Sequence, residues 1–421
     1  MRKLYLITFA SEKQKGSISE RHKELLDLLR TQYEVNLVNI RNIDQIPRDE
    51  LKLIFITSRY IEQQIVNHYE SLPHPLLLLT DGYNNSLAAV MEIKAWANSQ
   101  SIKAKLLYSE DESIIGRIDT IYRVHSALCR LRGRRIGVVG TPCNWLISSS
   151  VNYLLAQRRW GIEYVDLSVD ELLAEYAKVT DDEVGEMAAD IAGNARTCIE
   201  ATPEDLLKDM RVYKALRGIV DKYKLDAVTV NNNKIMDEVG TSTCVALSRL
   251  NDDGIPACGE SDLQSIFTAL VMKELTGEIP FMGNVSAIDT RANAILLSYC
   301  SVGTKFVDGD YSIRRHYESG ESVAVEGYMP DGNKVTMVKC GGESLDEYFA
   351  ASGITIAHEH RERCCRTQVK VGLDTPVSYF TDNPVGNHHL LVRGDYEQLV
   401  NAFFESASCK MINESWQRLG L

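Results

Sequence analysis

Glu260 stands where two sequence signals meet. It closes a short apolar run, 254–258, and it precedes a stretch of helical periodicity. Leu263, Ile266, Phe267, Leu270, Val271 and Leu275 recur at helical spacing. Ser261 with Gln264 has the pattern of a capping box, which starts the helix just after Glu260, and Gly277 and Pro280 supply the stop. A second apolar run, 279–282, ends at Gly283-Asn284. Two strand ends would thus deliver Glu260 and Asn284 to the edge where open α/β sheets bind ligands. A carboxylate there can serve as a general base or acid. In the plainer reading it is a partner for the helix dipole, and Asp262 can play the same part.

Histidines supply the other candidates. Gly386-Asn387-His388-His389 opens an apolar run, 389–392. Adjacent residues of a strand point to opposite faces, so one imidazole enters a cleft while the other packs or meets solvent. His358 and His360 would share a strand face and, with a thiolate from Cys364 or Cys365, offer zinc ligands. That spacing matches no standard zinc pattern, and a charged surface strand is the simpler reading. Gly137-Val138-Val139-Gly140-Thr141-Pro142 has part of a dinucleotide fingerprint but lacks the G-x-G-x-x-G spacing, as a tight strand-to-helix turn would.

These side chains need elements to position them. Runs at 3–9, 34–40, 51–57, 75–80 and 104–109 are nearly continuous in apolar residues, as strands covered on both faces are, and helical spacing fills the gaps. A basic cluster at Arg130, Arg132, Arg134 and Arg135 marks a boundary, after which runs at 135–140, 161–168, 225–232, 255–260 and 279–284 begin a second series. Residues 168–222 read as an acidic, solvated helical layer. Beyond residue 303, runs at 321–328 and 334–340 flank Met329-Pro330-Asp331-Gly332-Asn333 and read as a β-hairpin, with further strands at 368–371, 377–380 and 389–392. The expected architecture is α/β: two doubly wound, Rossmann-like domains at 1–132 and 133–303, then a β-rich C-terminal domain at 304–421.

With 421 residues, 44% of them hydrophobic, the chain can bury several cores. Its net charge of -12 argues against general affinity for nucleic acid or anionic membranes. No run approaches the ~18 uninterrupted apolar residues of a membrane span. Residues 1–11 read as a first strand rather than a signal peptide, and ten cysteines without a C-x-x-C pair suit a reducing cytoplasm.

The order of three segments carries a resemblance: Gly254-Ile-Pro-Ala-Cys-Gly-Glu260-Ser-Asp262, Leu275-Thr-Gly-Glu-Ile-Pro-Phe-Met-Gly-Asn284, and Gly386-Asn387-His388-His-Leu-Leu-Val-Arg-Gly-Asp395. The sequence resembles the L-fucose and L-arabinose isomerase superfamily, particularly its L-fucose isomerase-like branch, over most of the second and third domains. The resemblance implies a trimer or hexamer that interconverts aldoses and ketoses through a cis-enediol, using Mn²⁺ or a similar divalent cation. It places Glu260 and His388 among the metal ligands, Glu260 and position 284 in acid–base roles, and Asn387 and Ser301 at the sugar. Two departures stand out. Asn284 occupies the position of a metal-binding Asp; its amide oxygen can ligate but brings no charge and takes no proton. Tyr299-Cys300 stands where the family has His-Cys. Asp289 or Asp262 is then the candidate replacement carboxylate. The competing expectation is a sugar-binding relative without catalysis. A periplasmic-type binding protein, which also has two α/β lobes, fits less well because of the extra β-rich region.

Overall fold

A computed structural model describes residues 2–9 and 17–412. The chain forms two compact units, Met1–Cys129 and Arg130–Leu421. In the first, β1 (Arg2–Thr8), β2 (Tyr33–Asn39), β3 (Lys52–Phe55), β4 (Leu76–Thr80) and β5 (Ala104–Tyr108) make one parallel sheet in the order β2-β1-β3-β4-β5. Successive strand side chains serve opposite faces. Ile7, Ile54 and Leu78 therefore pack with Val90 and Ile93 on one side, and Leu6, Leu53 and Leu79 with Leu26 and Leu29 on the other. Burial on both faces is why the inner strands β1, β3 and β4 lack the polar alternation of a half-solvated sheet, which the edge strand β2 retains.

The second unit begins with another parallel sheet: β6 (Arg135–Val139), β7 (Glu163–Leu167), β8 (Ala227–Val230) and β9 (Ala257–Gly259), in the order β7-β6-β8-β9. The expected helical layer includes helices Val169–Tyr176, Gly185–Gly193 and Pro203–Tyr223. It is not merely solvated, because the last of these buries Leu206, Met210, Leu216 and Ile219.

The strands that follow are β10 (Phe281–Asp289), β11 (Ala294–Tyr299), β12 (Tyr311–Arg315), β13 (Val323–Gly327), β14 (Lys334–Gly341), β15 (Glu347–His358), β16 (Thr367–Leu373), β17 (His388–Arg393) and β18 (Lys410–Met411). Antiparallel pairing runs β14-β17-β10-β11-β16-β15, and β15 pairs back onto β14, so the sheet closes into a barrel; β18 adds parallel to β15. No helix is long and apolar enough to cross a membrane among the described residues.

Four local expectations change. The run at 377–380 is not a strand, because residues Tyr379–Asp382 close into a short helix. The run at 279–284 does not lie in the parallel sheet: β10 continues to Asp289, between β17 and β11 of the barrel, and its second half alternates in exposure as half-solvated antiparallel strands do. The hairpin is absent, since β13 pairs with β12 while β14 pairs with β15 and β17. The turn between them is tied to β15 instead, where Gly332 N–H donates to the Thr355 carbonyl and Thr355 Oγ1 donates to the Pro330 carbonyl. The capping box is replaced by Asp262, whose side chain caps the helix Leu263–Thr276 by accepting from Ser265 N–H at 2.9 Å. Ser261 turns its hydroxyl to the Val139 carbonyl.

Candidate active site

Glu260 and Ser261 leave β9 with φ of 65° and 51°, two consecutive non-glycine residues in the left-handed region. Such a conformation persists only where its surroundings enforce it. Here Ser261 N–H donates to the Val230 carbonyl at 3.2 Å, Ser261 Oγ to the Val139 carbonyl at 3.0 Å, and Cys143 N–H to the Glu260 carbonyl at 3.1 Å. The turn aims the Glu260 side chain at the barrel. Glycine precedes it for space: a Cβ on Gly259 would lie 2.5 Å from the Tyr299 hydroxyl and 2.7 Å from Asn232 Nδ2.

Both carboxylate oxygens of Glu260 are engaged. Trp145 Nε1 donates to Oε2 at 2.7 Å, and the Tyr299 hydroxyl donates to Oε1 at 3.3 Å. His388 Nε2 faces Oε1 at 3.4 Å, and the Tyr299 ring stands edge-on to the imidazole at 5.7 Å. The other imidazole nitrogen, Nδ1, lies 2.8 Å from Asp262 Oδ2. An ionised carboxylate only accepts, so Nδ1 carries the proton. Asp262, Lys339 and His388 have fully buried side chains. Lys339 Nζ lies 3.7 Å from Asp262 and donates to Ser265 Oγ at 3.1 Å, and that hydroxyl donates to Asp262 Oδ2 at 2.8 Å.

Burial alone would drive these groups neutral, and their contacts decide otherwise. Desolvation lowers the His388 pKa, but Asp262 and Glu260 outweigh it and bring it up to about 9. Desolvation raises Glu260, while His388 and Trp145 hold it below its ordinary value. Asp262 is likewise held well below the usual carboxylate range, against its burial, by Lys339 and His388. Burial and then Glu260 push the Tyr299 hydroxyl far up.

Asn284 lies directly across the ladder from His388, so both side chains emerge on one barrel face. Its Oδ1 accepts from Asn387 Nδ2 at 2.6 Å. Glu260, His388, Asn284 and Asn387 thus gather at one place. Ser301, buried just past β11, makes no hydrogen bond to them among the described residues. His389 faces away, as adjacent strand residues must, and meets the Tyr379 hydroxyl at 3.1 Å; burial lowers its pKa to about 3.

The two alternative carboxylates have partners of their own. Asp289 ends β10 five residues beyond Asn284, roughly 15 Å along the strand, and is held by Lys370 at 2.9 Å. Asp262 is fully buried, with its oxygens taken by Ser265 and His388. His358 and His360 turn to Glu326 at 3.6 and 3.0 Å, while Cys365 packs with Cys244 and Cys300. A cleft of ≈ 800 Å³ opens beside Gly140, Asp166 and Lys234 and shares none of the Glu260 cluster.

Among the described residues, no group of three His, Cys, Asp or Glu side chains converges as a metal centre. The donor set at Glu260 nevertheless suits a hard divalent cation. His388 Nε2 is buried without a hydrogen bond, while Nδ1–H is fixed by a carboxylate, so a cation that displaced the Nε2 proton would meet an imidazole lone pair already oriented. Glu260 adds a carboxylate oxygen and Asn284 an amide oxygen with a second lone pair, giving oxygen ligands plus one imidazole and a single negative charge.

Sequence reasoning missed Trp145, Lys339 and the part played by Asp262. Trp145 comes from a loop without periodicity, and Lys339 sits in a run that reads as ordinary strand; neither gives a local signal. Tyr299 had one, as the residue that stands where the resemblance implies a His.

No family model matches the chain. It is similar to sulfoquinovose isomerase from Priestia aryabhattai and from Priestia megaterium, each 24% identical over 255 residues, 56% of this chain and 56% of the relative. Sulfoquinovose isomerase from Clostridium sp. is 25% identical over 194 residues, 45% of this chain and 43% of the relative. The chain spans about half the length of the curated relatives it matches.

Proposed function

We propose that this chain is a sugar aldose–ketose isomerase, moving a proton between C1 and C2 of a monosaccharide through a cis-enediol. The observation that carries the reading is the Glu260 carboxylate, fixed by Trp145 and Tyr299 and facing His388 beside an amide pair suited to sugar hydroxyls. The isomerase name shared by the relatives supports it. Glu260 takes the proton from one carbon and returns it to the other. Tyr299 keeps its proton and orients that carboxylate. Asn387, Asn284 and Ser301 contact substrate oxygens. Glu260, His388 and Asn284 would hold Mn²⁺ or a similar cation, which when bound polarises the carbonyl and offsets enediolate charge. In this reading the parallel sheets are doubly wound, Rossmann-like layers with ligand loops at their carboxyl edges. The active form is an L-fucose isomerase-like cytoplasmic homotrimer or homohexamer.

One observation favours a second reading, a sugar-binding relative without catalysis. The position expected to carry a second carboxylate is an amide, already bonded to Asn387. Deuterium exchange separates the two. Purified protein with Mn²⁺ is incubated in D₂O with sulfoquinovose, L-fucose and other aldoses, and deuterium at C2 is followed by NMR. Exchange is expected, falling about 10²–10⁴-fold in Glu260→Gln and rising in Asn284→Asp. No exchange with any aldose, together with sugar binding that Glu260→Gln leaves intact, selects the second reading.

A further inference from the structure

Trp145 leaves 53% of its surface in solvent. Its loop is nonetheless tied down on both sides. Asn231 Nδ2 donates to the Thr141 carbonyl at 2.7 Å, Cys143 N–H to the Glu260 carbonyl at 3.1 Å, and Leu146 N–H to the Cys143 carbonyl at 3.0 Å. Beyond it, Gln264 Nε2 donates to the Ser148 carbonyl at 3.0 Å, and Asn152 N–H to the Glu343 carbonyl at 2.8 Å. An anchored backbone therefore holds a large, half-exposed aromatic ring in a fixed place beside Glu260. The indole nitrogen donates to Glu260 Oε2, while His388 and Tyr299 are directed at Oε1. The indole therefore engages the carboxylate oxygen that His388 and Tyr299 leave to it, and its half-exposed ring borders Glu260.

We propose that Trp145 is a substrate-binding residue with two separable parts: its exposed ring is the platform for the C–H face of the sugar, and its N–H aligns Glu260. The ring offers contact area at little entropic cost, and its polar edge stays satisfied by the carboxylate. The platform selects for substrates with a continuous apolar C–H face beside the reacting carbons, so it bears on which aldoses enter. This assignment rests on the isomerase reading.

The test compares wild type, Trp145→Phe and Trp145→Ala, each with Mn²⁺, using sulfoquinovose and L-fucose as probes. Calorimetry reads binding, NMR reads turnover, and melting temperature reads the fold, which a half-exposed side chain should scarcely affect. Trp145→Phe keeps a ring and loses the donor, so KM stays within about threefold while kcat falls about tenfold, as loss of one hydrogen bond to a charged group predicts. Trp145→Ala loses both parts and in addition raises KM and the sugar Kd about tenfold or more. A KM for Trp145→Ala within about twofold of Trp145→Phe, with turnover intact in wild type, overturns the platform and leaves the isomerase reading standing. A wild type that neither binds nor converts either sugar overturns both.

Discussion

Replacing Asp262 by Asn strands a buried ammonium. Asp262 and Lys339 are both fully buried, 3.7 Å apart, and joined through Ser265. Asn keeps an oxygen for the Ser265 N–H, so the helix cap survives, but the charge facing Lys339 and His388 is gone. Breaking a buried pair on one side costs ~3–5 kcal/mol. Spread over unit Arg130–Leu421 at ~2.1 cal/mol/K per residue, that loss lowers the melting temperature by roughly 5–8 °C. Lys339→Met in the same background removes the stranded charge and retains most of the side-chain volume. The double variant should then be more stable than Asp262→Asn alone, with a coupling of about 2 kcal/mol or more. Equilibrium urea unfolding of the wild type, both single variants and the double variant completes the cycle. Additivity within about 0.5 kcal/mol would show that Lys339 and Asp262 do not sense each other and would refute the reasoning.

Asp209 offers a pH test away from the site. Its carboxyl is fully buried and accepts from the N–H groups of Val245 and Ala246, yet burial dominates and raises its pKa to about 8. The folded state therefore holds a proton that the unfolded state releases near pH 3.8. Between those values stability falls by about 1.4 kcal/mol per pH unit as pH rises; urea titrations at pH 5 and 8 should show Asp209→Asn reducing that slope. Gly259→Ala drives a methyl group into the Tyr299 hydroxyl and the Asn232 amide. It should cost ~1–3 kcal/mol in urea unfolding and lower deuterium exchange by misplacing Glu260; unchanged exchange would show that the Tyr299 contact is dispensable.

The legible parts of this chain were those set by local pattern. Apolar runs covered on both faces revealed the parallel strands, and Glu260 could be found because a strand end and a helix start leave one carboxylate between them. Asn387-His388 was legible through alternation, which sends His388 inward and His389 to Tyr379. Long-range pairing left no comparable trace. Strands β13 and β14 look like a hairpin because the turn residues favour one, and only Thr355, more than twenty positions later, diverts the turn to β15. The capping box failed for a similar reason: Ser261 had a better partner in Val139, across the sheet, and Asp262 was free to cap. Trp145 was invisible because its importance comes from what faces it, and that residue lies 115 positions away.

The left-handed turn at Glu260 and Ser261 has a consequence for selection. Each non-glycine residue held there costs of order 1–3 kcal/mol, and Gly or Asn would relieve much of that strain at position 260. A library randomised at this position and sorted only for thermal stability should therefore enrich Gly and Asn and discard the carboxylate. The same library sorted for proton transfer should retain Glu and accept a less stable chain. Stability screens would thus steer this scaffold away from its proposed chemistry at a single codon, while leaving the barrel ladder that aligns Asn284 with His388 untouched.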